Sequence, residues 1–241
     1  MKFALKLVSD NLKQGGLPKK LVPMVFGVTG TGRVAQGSIE VLEQLPHVKV
    51  KASELREYIA RPEVKSNNKQ IIICCFTSED LVKHKTDGKA FDKREYYSNP
   101  ENFVGQFDQY LDQVSWLVEG IYWEPRYPRV LSKDSLRQAV ENGTNKLMGV
   151  TDISADECGS IEFTSRFTSI EDPFLLYDPV TDEFKEKIGD MSKTHNNEIL
   201  FHSVDHLPAE MPKEASNHFG SKLIEFVEAV VKSDFQKPFE Q

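Results

Sequence analysis

Residues 25–37 read VFGVTGTGRVAQG and hold the strongest structural signal of the chain. An apolar stretch over 21–28 runs into a glycine turn, and apolar residues at helical spacing follow as far as Leu45. Gly30, Gly32 and Ala35 fit the G-x-G-x-x-G/A pattern of a dinucleotide-binding strand, turn and helix. The stretch therefore predicts a phosphate site at the start of a helix.

Each small residue has its own physical role in such a turn. Gly30 allows the tight turn, Gly32 lets a pyrophosphate approach the backbone, and Ala35 lets the helix pack on the strand. The amides at the helix start then face the phosphate charge. The alternative is a glycine-rich loop in an ordinary α/β protein, whereas a Walker-type loop is excluded because no Gly-Lys-Ser/Thr follows the glycines.

Composition and charge exclude several classes of protein. The 241 residues carry 30 basic and 37 acidic side chains, a net charge of −7 that disfavours a nucleic-acid-binding protein. No apolar run is long enough for a membrane span, and no secretory signal opens the sequence. Three cysteines without a framework spacing indicate a reducing, intracellular compartment.

Strand and helix patterns alternate along the chain. Apolar runs predict strands at 21–28, 48–50, 70–76, 116–122, 146–150 and 199–204. This alternation predicts an α/β fold, a Rossmann-like doubly wound parallel sheet with helices on both faces. We expect an N-terminal helix and linker over 1–20, then a dinucleotide-binding domain over 21–241 that contains an irregular helical insertion at about 77–113.

The residues after the second predicted strand favour NADP(H) over NAD(H). An NAD site usually has Asp or Glu about 20 residues after the glycines, where it binds the ribose 2′-hydroxyl. Here the strand leads to Lys51, and no acid appears before Glu54. Lys51, Ser53 and Arg33 suit a 2′-phosphate instead. The alternative is that Lys49 and Lys51 are ordinary solvated charges.

Several segments together resemble the lysine–2-oxoglutarate reductase part of α-aminoadipic semialdehyde synthase, the bifunctional enzyme of lysine breakdown. The most specific are Tyr-Trp-Glu at 122–124, Gly-Ser-Ile-Glu-Phe at 159–163 and Leu-Pro-Ala at 207–209. The resemblance covers nearly the whole chain, through segments at 26–32, 43–47, 91–97, 121–129, 152–156, 159–163, 205–209, 214–216 and 218–220.

This resemblance implies an NADP-dependent oxidoreductase that acts on CH–NH donors. The ε-amine of L-lysine condenses with 2-oxoglutarate, and NADPH reduces the imine to saccharopine, a reaction that needs no metal. The implied fold is like that of alanine dehydrogenase, with two α/β domains around a cleft. Since only about 20 residues precede the first strand, we expect the nucleotide-binding half alone, with the main proton-transfer residues in the other half.

The same resemblance sets the expected partners and compartment. A nucleotide-binding half without its substrate domain would expose apolar surface at the cleft, so we expect a homo-oligomer or docking to a substrate domain. Animal relatives are mitochondrial and plant relatives are cytosolic, so both a mitochondrial and a cytoplasmic location stay open.

Residues that follow the strands are the candidates for ligand contacts, because open α/β sheets bind ligands beyond the carboxyl ends of their strands. The candidates for cofactor contact are Gly30, Thr31, Gly32, Arg33, Val34, Lys51, Thr77, Ser78, Tyr122, Trp123, Asp152, Asp205 and Leu207. The candidates for substrate contact are Arg129, Ser160 and Glu162.

Each of the chemically active candidates also has a structural interpretation. Arg129 suits a substrate carboxylate, or it is a surface arginine beside Pro128. Trp123 suits stacking on the nicotinamide, or it packs. Asp152 and His206 are candidates for a catalytic role, but Asp152 also suits a turn cap and a lone loop histidine is commonly structural.

Three functions stay open at this point. The first is an enzyme component that becomes active with its substrate domain, and the second is a truncated nucleotide-binding module without catalytic activity. The third is an unrelated NADP-dependent reductase that acts alone. NADPH consumption that requires both lysine and 2-oxoglutarate distinguishes the first from the others.

Overall fold

The computed structural model describes residues 2–185 and 197–233. The chain divides into two compact units, Met1–Val204 and Asp205–Gln241. The strands in the described part are β1 (Val25–Thr29), β2 (His47–Lys51), β3 (Ile71–Phe76), β4 (Val82–His84), β5 (Phe103–Gly105), β6 (Trp116–Glu119), β7 (Gly149–Asp152), β8 (Leu175–Asp178), β9 (Glu183–Lys185) and β10 (Ile199–His202). The helices there are α1 (Lys2–Gln14), α2 (Arg33–Leu42), α3 (Ala52–Ala60), α4 (Pro62–Ser66), α5 (Ser78–Leu81), α6 (Lys93–Ser98), α7 (Lys133–Glu141) and α8 (Pro212–Lys232).

The described strands of the first unit form one large sheet and one small one. The large sheet has the order β2-β3-β1-β6-β7-β10-β8-β9, and β4 pairs with β5 in the other. From β2 to β10 neighbouring strands of the large sheet are parallel, whereas β8 and β9 are antiparallel. The expected α/β fold with a doubly wound parallel sheet is confirmed.

β3 in the interior of the large sheet is apolar along its whole length because helices cover both faces of the sheet. Along β3, Ile72, Cys74 and Phe76 join one core with α3 and α7, while Ile71 and Ile73 join a second core with α1 and α2. This alternation is the period of two of a strand buried on both sides. The helix after the glycine turn thus packs on one face, and the connection from β2 to β3 packs on the other.

Several element boundaries differ from the sequence-based expectation. The strand expected at 116–122 ends at Glu119, and the strand expected at 146–150 is shifted to Gly149–Asp152. The segment 77–113 was expected to be helical, but it also contains the antiparallel pair β4 and β5. Short polar-flanked strands such as β8 and β9 lack a long apolar run, so their pattern did not stand out from loop sequence.

Candidate functional site

A crevice lies between the carboxyl ends of β1 and β6, where the connections from these two neighbouring strands run towards opposite edges of the sheet. The chain continues from β1 towards β2 at one edge of the sheet, and from β6 to β7 in the direction of the opposite edge. Open α/β sheets bind ligands at such a point. Thr29, the last residue of β1, accepts a hydrogen bond from the Gly120 amide through its Oγ1 at 3.1 Å. The two loops that frame the crevice are therefore joined at its floor.

The glycine turn leaves the start of α2 open. Gly30 has φ of +87°, a left-handed conformation that disfavours any side chain. Gly32 precedes α2, and within the described chain no side chain caps this helix start and no acid lies in its first turn. A Cβ at Gly32 would meet no described atom within 4 Å. An uncapped helix start that faces open space fits the pyrophosphate of a dinucleotide.

Two cavities lie beside the glycine turn, and a third lies near the end of β2. One of about 300 Å³ lies between the turn and the 77–113 segment, with Ser78 on its wall. Another of about 320 Å³ is lined by Val34 and Trp123, and it shares the segment 120–122 with the first. A third of about 360 Å³ lies beside Lys51. The first two cavities thus offer room for a ligand beside the turn, whereas the third lies between α2 and the strands β2 and β3.

The strand order places β3, and not β2, next to β1, and this decides which residues lie beside the glycine turn. Lys51 ends β2 at the outer edge of the sheet, and β3 lies between β2 and β1. The register pairs Lys51 with Cys75, whose thiol donates a hydrogen bond to the Gly30 carbonyl at 3.2 Å. The residues directly beside the turn are therefore those after β3, including Ser78 and Thr77, which caps α5 together with Asp80. Lys51 lies two strand spacings, about 10 Å, from β1.

The substrate candidates Arg129 and Glu162 contact each other and the surrounding backbone. The Arg129 guanidinium donates to the carbonyls of Gly159 and Cys158, both at 3.1 Å, and lies 3.7 Å from the Glu162 carboxylate. Glu162 also accepts from the Lys133 amide at 2.8 Å, at the start of α7. Both line a cavity of about 600 Å³. These contacts fix the 159–162 segment against α7.

The third substrate candidate, Ser160, is fully buried. Its Oγ has no hydrogen-bond partner of ordinary geometry within the described residues. It lies instead near a buried carboxyl group that the sequence analysis did not single out, that of Glu119 at the end of β6. The sequence does contain a sign of this group, because Glu119 is a charged residue inside the apolar run 116–122.

Glu119 and Asp152 are partners in the register of β6 and β7. Both are buried, with exposed fractions of 0% and 1%. Burial above all, then the charge of Asp152 and a hydrogen bond to it, raise the pKa of Glu119 to about 8. Asp152 accepts from Ser154 and Thr164 hydroxyls and from the Ala155 amide, at 2.8, 2.6 and 3.1 Å. Asp152 thus orders the loop that follows β7.

The other candidates are more exposed. Thr31, Arg33, Val34 and Tyr122 are exposed around the turn and the crevice. Trp123 is half-buried, and its indole donates to the carbonyls of Tyr127 and Pro128 at 3.1 and 3.2 Å.

The candidates at the start of the second unit are Asp205, His206 and Leu207, all exposed. His206 has φ of +58°, and its Nδ1 lies 2.7 Å from the Asp205 carboxylate.

Curated relatives match nearly the whole chain, although no protein-family model does. The α-aminoadipic semialdehyde synthase of Arabidopsis thaliana is 38% identical over 234 residues, which cover 94% of this chain. The mitochondrial synthases of Bos taurus and Mus musculus are 31% and 33% identical over 254 residues, or 98% of the chain. This chain is homologous to part of α-aminoadipic semialdehyde synthase. The resemblance expected from the sequence is confirmed.

The homology concerns a limited part of those relatives. The chain spans 21% of the Arabidopsis synthase and 26% of the bovine one, about a quarter of their length or less. An L-alanine dehydrogenase among the solved structures aligns with 98% of the chain and 53% of its own length, at a TM-score of 0.45 and 12% identity. Every helix within 2–185 and 197–233 is too short or too polar to span a bilayer.

Proposed function

We propose that this chain is the nucleotide-binding half of a lysine–2-oxoglutarate reductase, an NADP-dependent oxidoreductase that forms saccharopine from L-lysine and 2-oxoglutarate. The open start of α2 at Gly32, placed at the crevice between β1 and β6, is the observation that carries the proposal. Homology to the synthase supplies the reaction class. Bound NADPH would supply hydride to the imine carbon.

The residues of this chain would bind and orient the nucleotide. The amides of Gly32 and of the first turn of α2 would bind the pyrophosphate, and the Thr29–Gly120 hydrogen bond would hold the crevice floor. Lys51 flanks the cavity beside Cys75 and would pair with the 2′-phosphate of NADPH. Trp123, half-buried at the neighbouring cavity, would lie on the nicotinamide side of the crevice.

Proton transfer is assigned to the substrate domain. Asp152 is buried and accepts three hydrogen bonds, which suits positioning better than contact with a substrate amine. Arg129 and Glu162 pair with each other at the wall of their cavity, which also suits a positioning role. We therefore propose that turnover requires a substrate domain, in the same chain or docked, and that mitochondria are one compartment for such a protein, as for the mammalian relatives.

The first experiment is titration of the purified chain with NADPH and with NADH, followed by energy transfer from tryptophan to the reduced nicotinamide. Preferential NADPH binding supports the proposal, and absence of binding to both nucleotides contradicts it. NADPH oxidation that depends on both lysine and 2-oxoglutarate would then establish the reductase. Binding without turnover would favour the nucleotide-binding module instead.

A further inference from the structure

The buried carboxyl pair Glu119 and Asp152 has a geometry that an ordinary pair of carboxylates does not tolerate. Register partners on adjacent parallel strands project to the same face of the sheet, so the two side chains face each other. Both are almost completely buried. Two neighbouring negative charges in a low-dielectric interior strongly repel, and one of them is then neutralised by a proton.

The hydrogen bonds show which of the two acids holds that proton. Asp152 accepts from three donors, which stabilise its charged form. Glu119 Oε1 accepts from the Ile121 amide at 3.2 Å, whereas its Oε2 has no donor of ordinary geometry among the described residues, although the Ser154 and Ser160 hydroxyls lie near the carboxyl group. A hydrogen bond between two carboxyl groups requires a proton, and a proton on Glu119 Oε2 satisfies that oxygen.

We infer that Glu119 is a protonated positioning residue, which donates a hydrogen bond to Asp152 and thereby joins the two loops that follow β6 and β7. Its Oε1 holds the Ile121 amide in the loop 120–123, and Asp152 holds the Ala155 amide in the loop 153–156. Both loops line the cavity of about 320 Å³ beside the glycine turn. The inference rests on the proposed function in that this crevice binds the nucleotide.

Removal of the proton would place two charges side by side and push the loops apart. Two hydroxyls lie near the Glu119 carboxyl group, that of Ser154 after β7 and that of Ser160 farther along the chain. Among the described residues, the acid beside Glu119 is Asp152, and next to Asp152 lies Asp156, whose pKa is raised by burial and by the Asp152 charge. Nucleotide affinity should therefore fall as the pH rises through the range in which Glu119 ionises.

The test compares nucleotide affinity from about pH 6 to about pH 9.5 in the wild type, in Glu119→Gln and in Glu157→Gln. Glutamine keeps the donor without the titration, and Glu157 is an exposed acid in the same region of the chain. We expect the wild type and Glu157→Gln to lose roughly tenfold in NADPH affinity above about pH 8, while Glu119→Gln stays nearly flat. Equal pH profiles in all three would overturn the inference.

A second measurement does not depend on nucleotide binding or on the variant folding. Infrared spectroscopy of the wild type should show the carbonyl band of a buried, protonated carboxylic acid near neutral pH, which disappears as the pH is raised. Absence of that band near neutral pH would overturn the inference even if NADPH binds. The band without any NADPH binding would support the proton on Glu119 and contradict the proposed function instead.

Discussion

Replacement of Gly32 by alanine should weaken NADPH binding and leave the free energy of unfolding almost unchanged. The new Cβ would meet no described atom within 4 Å, and the φ of −74° at this position suits any residue. Alanine is a poorer N-cap than glycine but restricts the unfolded chain more, so the free energy of unfolding should change by less than about 1 kcal/mol. The methyl group instead enters the space assigned to the pyrophosphate.

The expected loss of NADPH affinity is at least tenfold, or about 1.4 kcal/mol. Isothermal titration gives this value directly, and denaturation with ligand checks it. NADPH at 100 times the wild-type Kd should stabilise the wild type by about 2.7 kcal/mol and Gly32→Ala by about 1.4 kcal/mol or less. NADPH would thus stabilise Gly32→Ala less than the wild type, although the two proteins have nearly the same free energy of unfolding without the ligand.

Gly37→Ala is the matched control. Gly37 is exposed within the same helix, and a Cβ there also meets no described atom within 4 Å. This variant should gain about 0.5–1 kcal/mol in stability because alanine is the better helix former, with NADPH affinity unchanged. Equal NADPH affinity in Gly32→Ala and the wild type would show that no phosphate lies at the start of α2.

Three further predictions concern the cofactor, the core and pH. Lys51→Ala should weaken NADPH binding about tenfold and leave NADH binding unchanged, whereas exposed Lys65→Ala changes neither; titration with both nucleotides checks this. Gly149→Ala should lose about 1–3 kcal/mol in urea unfolding, since its Cβ would lie 2.4 Å from the Trp116 ring. The folded chain is inferred to keep a proton on Glu119 that the unfolded chain loses, so Glu119 should contribute a downward slope of stability with rising pH, between the usual glutamate pKa and about 8. Glu119→Gln should remove that slope, and identical slopes would contradict the raised pKa.

The fold class followed from the sequence because the central strands have an unambiguous pattern. The continuous apolar run of β3 is typical of a strand covered on both faces, and the glycine turn located β1 and α2. The strand order was not predicted. The alternation of lysine and valine in β2 could have predicted that this strand lies at an edge of the sheet, because charged residues are typical of edge strands.

The sequence could predict only the part of the candidate site that local backbone conformation determines, and the ligand contacts stay predictions. The positive φ of Gly30 is a conformation that glycine adopts readily, so the sequence alone predicts this turn, whereas phosphate binding at Gly32 stays a prediction. The contacts of Arg129 and Glu162 depend on how a distant segment packs against α7, and a single sequence does not encode that pairing in a readable pattern. The carboxyl pair depends on the register of β6 with β7, and a register shift of one residue would separate the two acids.

The two tryptophans of the chain occupy environments that make them separate optical reporters. Trp116 lies against Gly149 within the sheet, and its indole donates to the Thr151 hydroxyl at 3.0 Å. Trp123 lies at the crevice, with the Arg129 guanidinium 5.5 Å from its ring. In Trp123→Phe, fluorescence would follow unfolding of the sheet, and in Trp116→Phe it would follow events at the crevice. The two single-tryptophan variants thus provide separate signals for folding and for ligand arrival, without an attached dye.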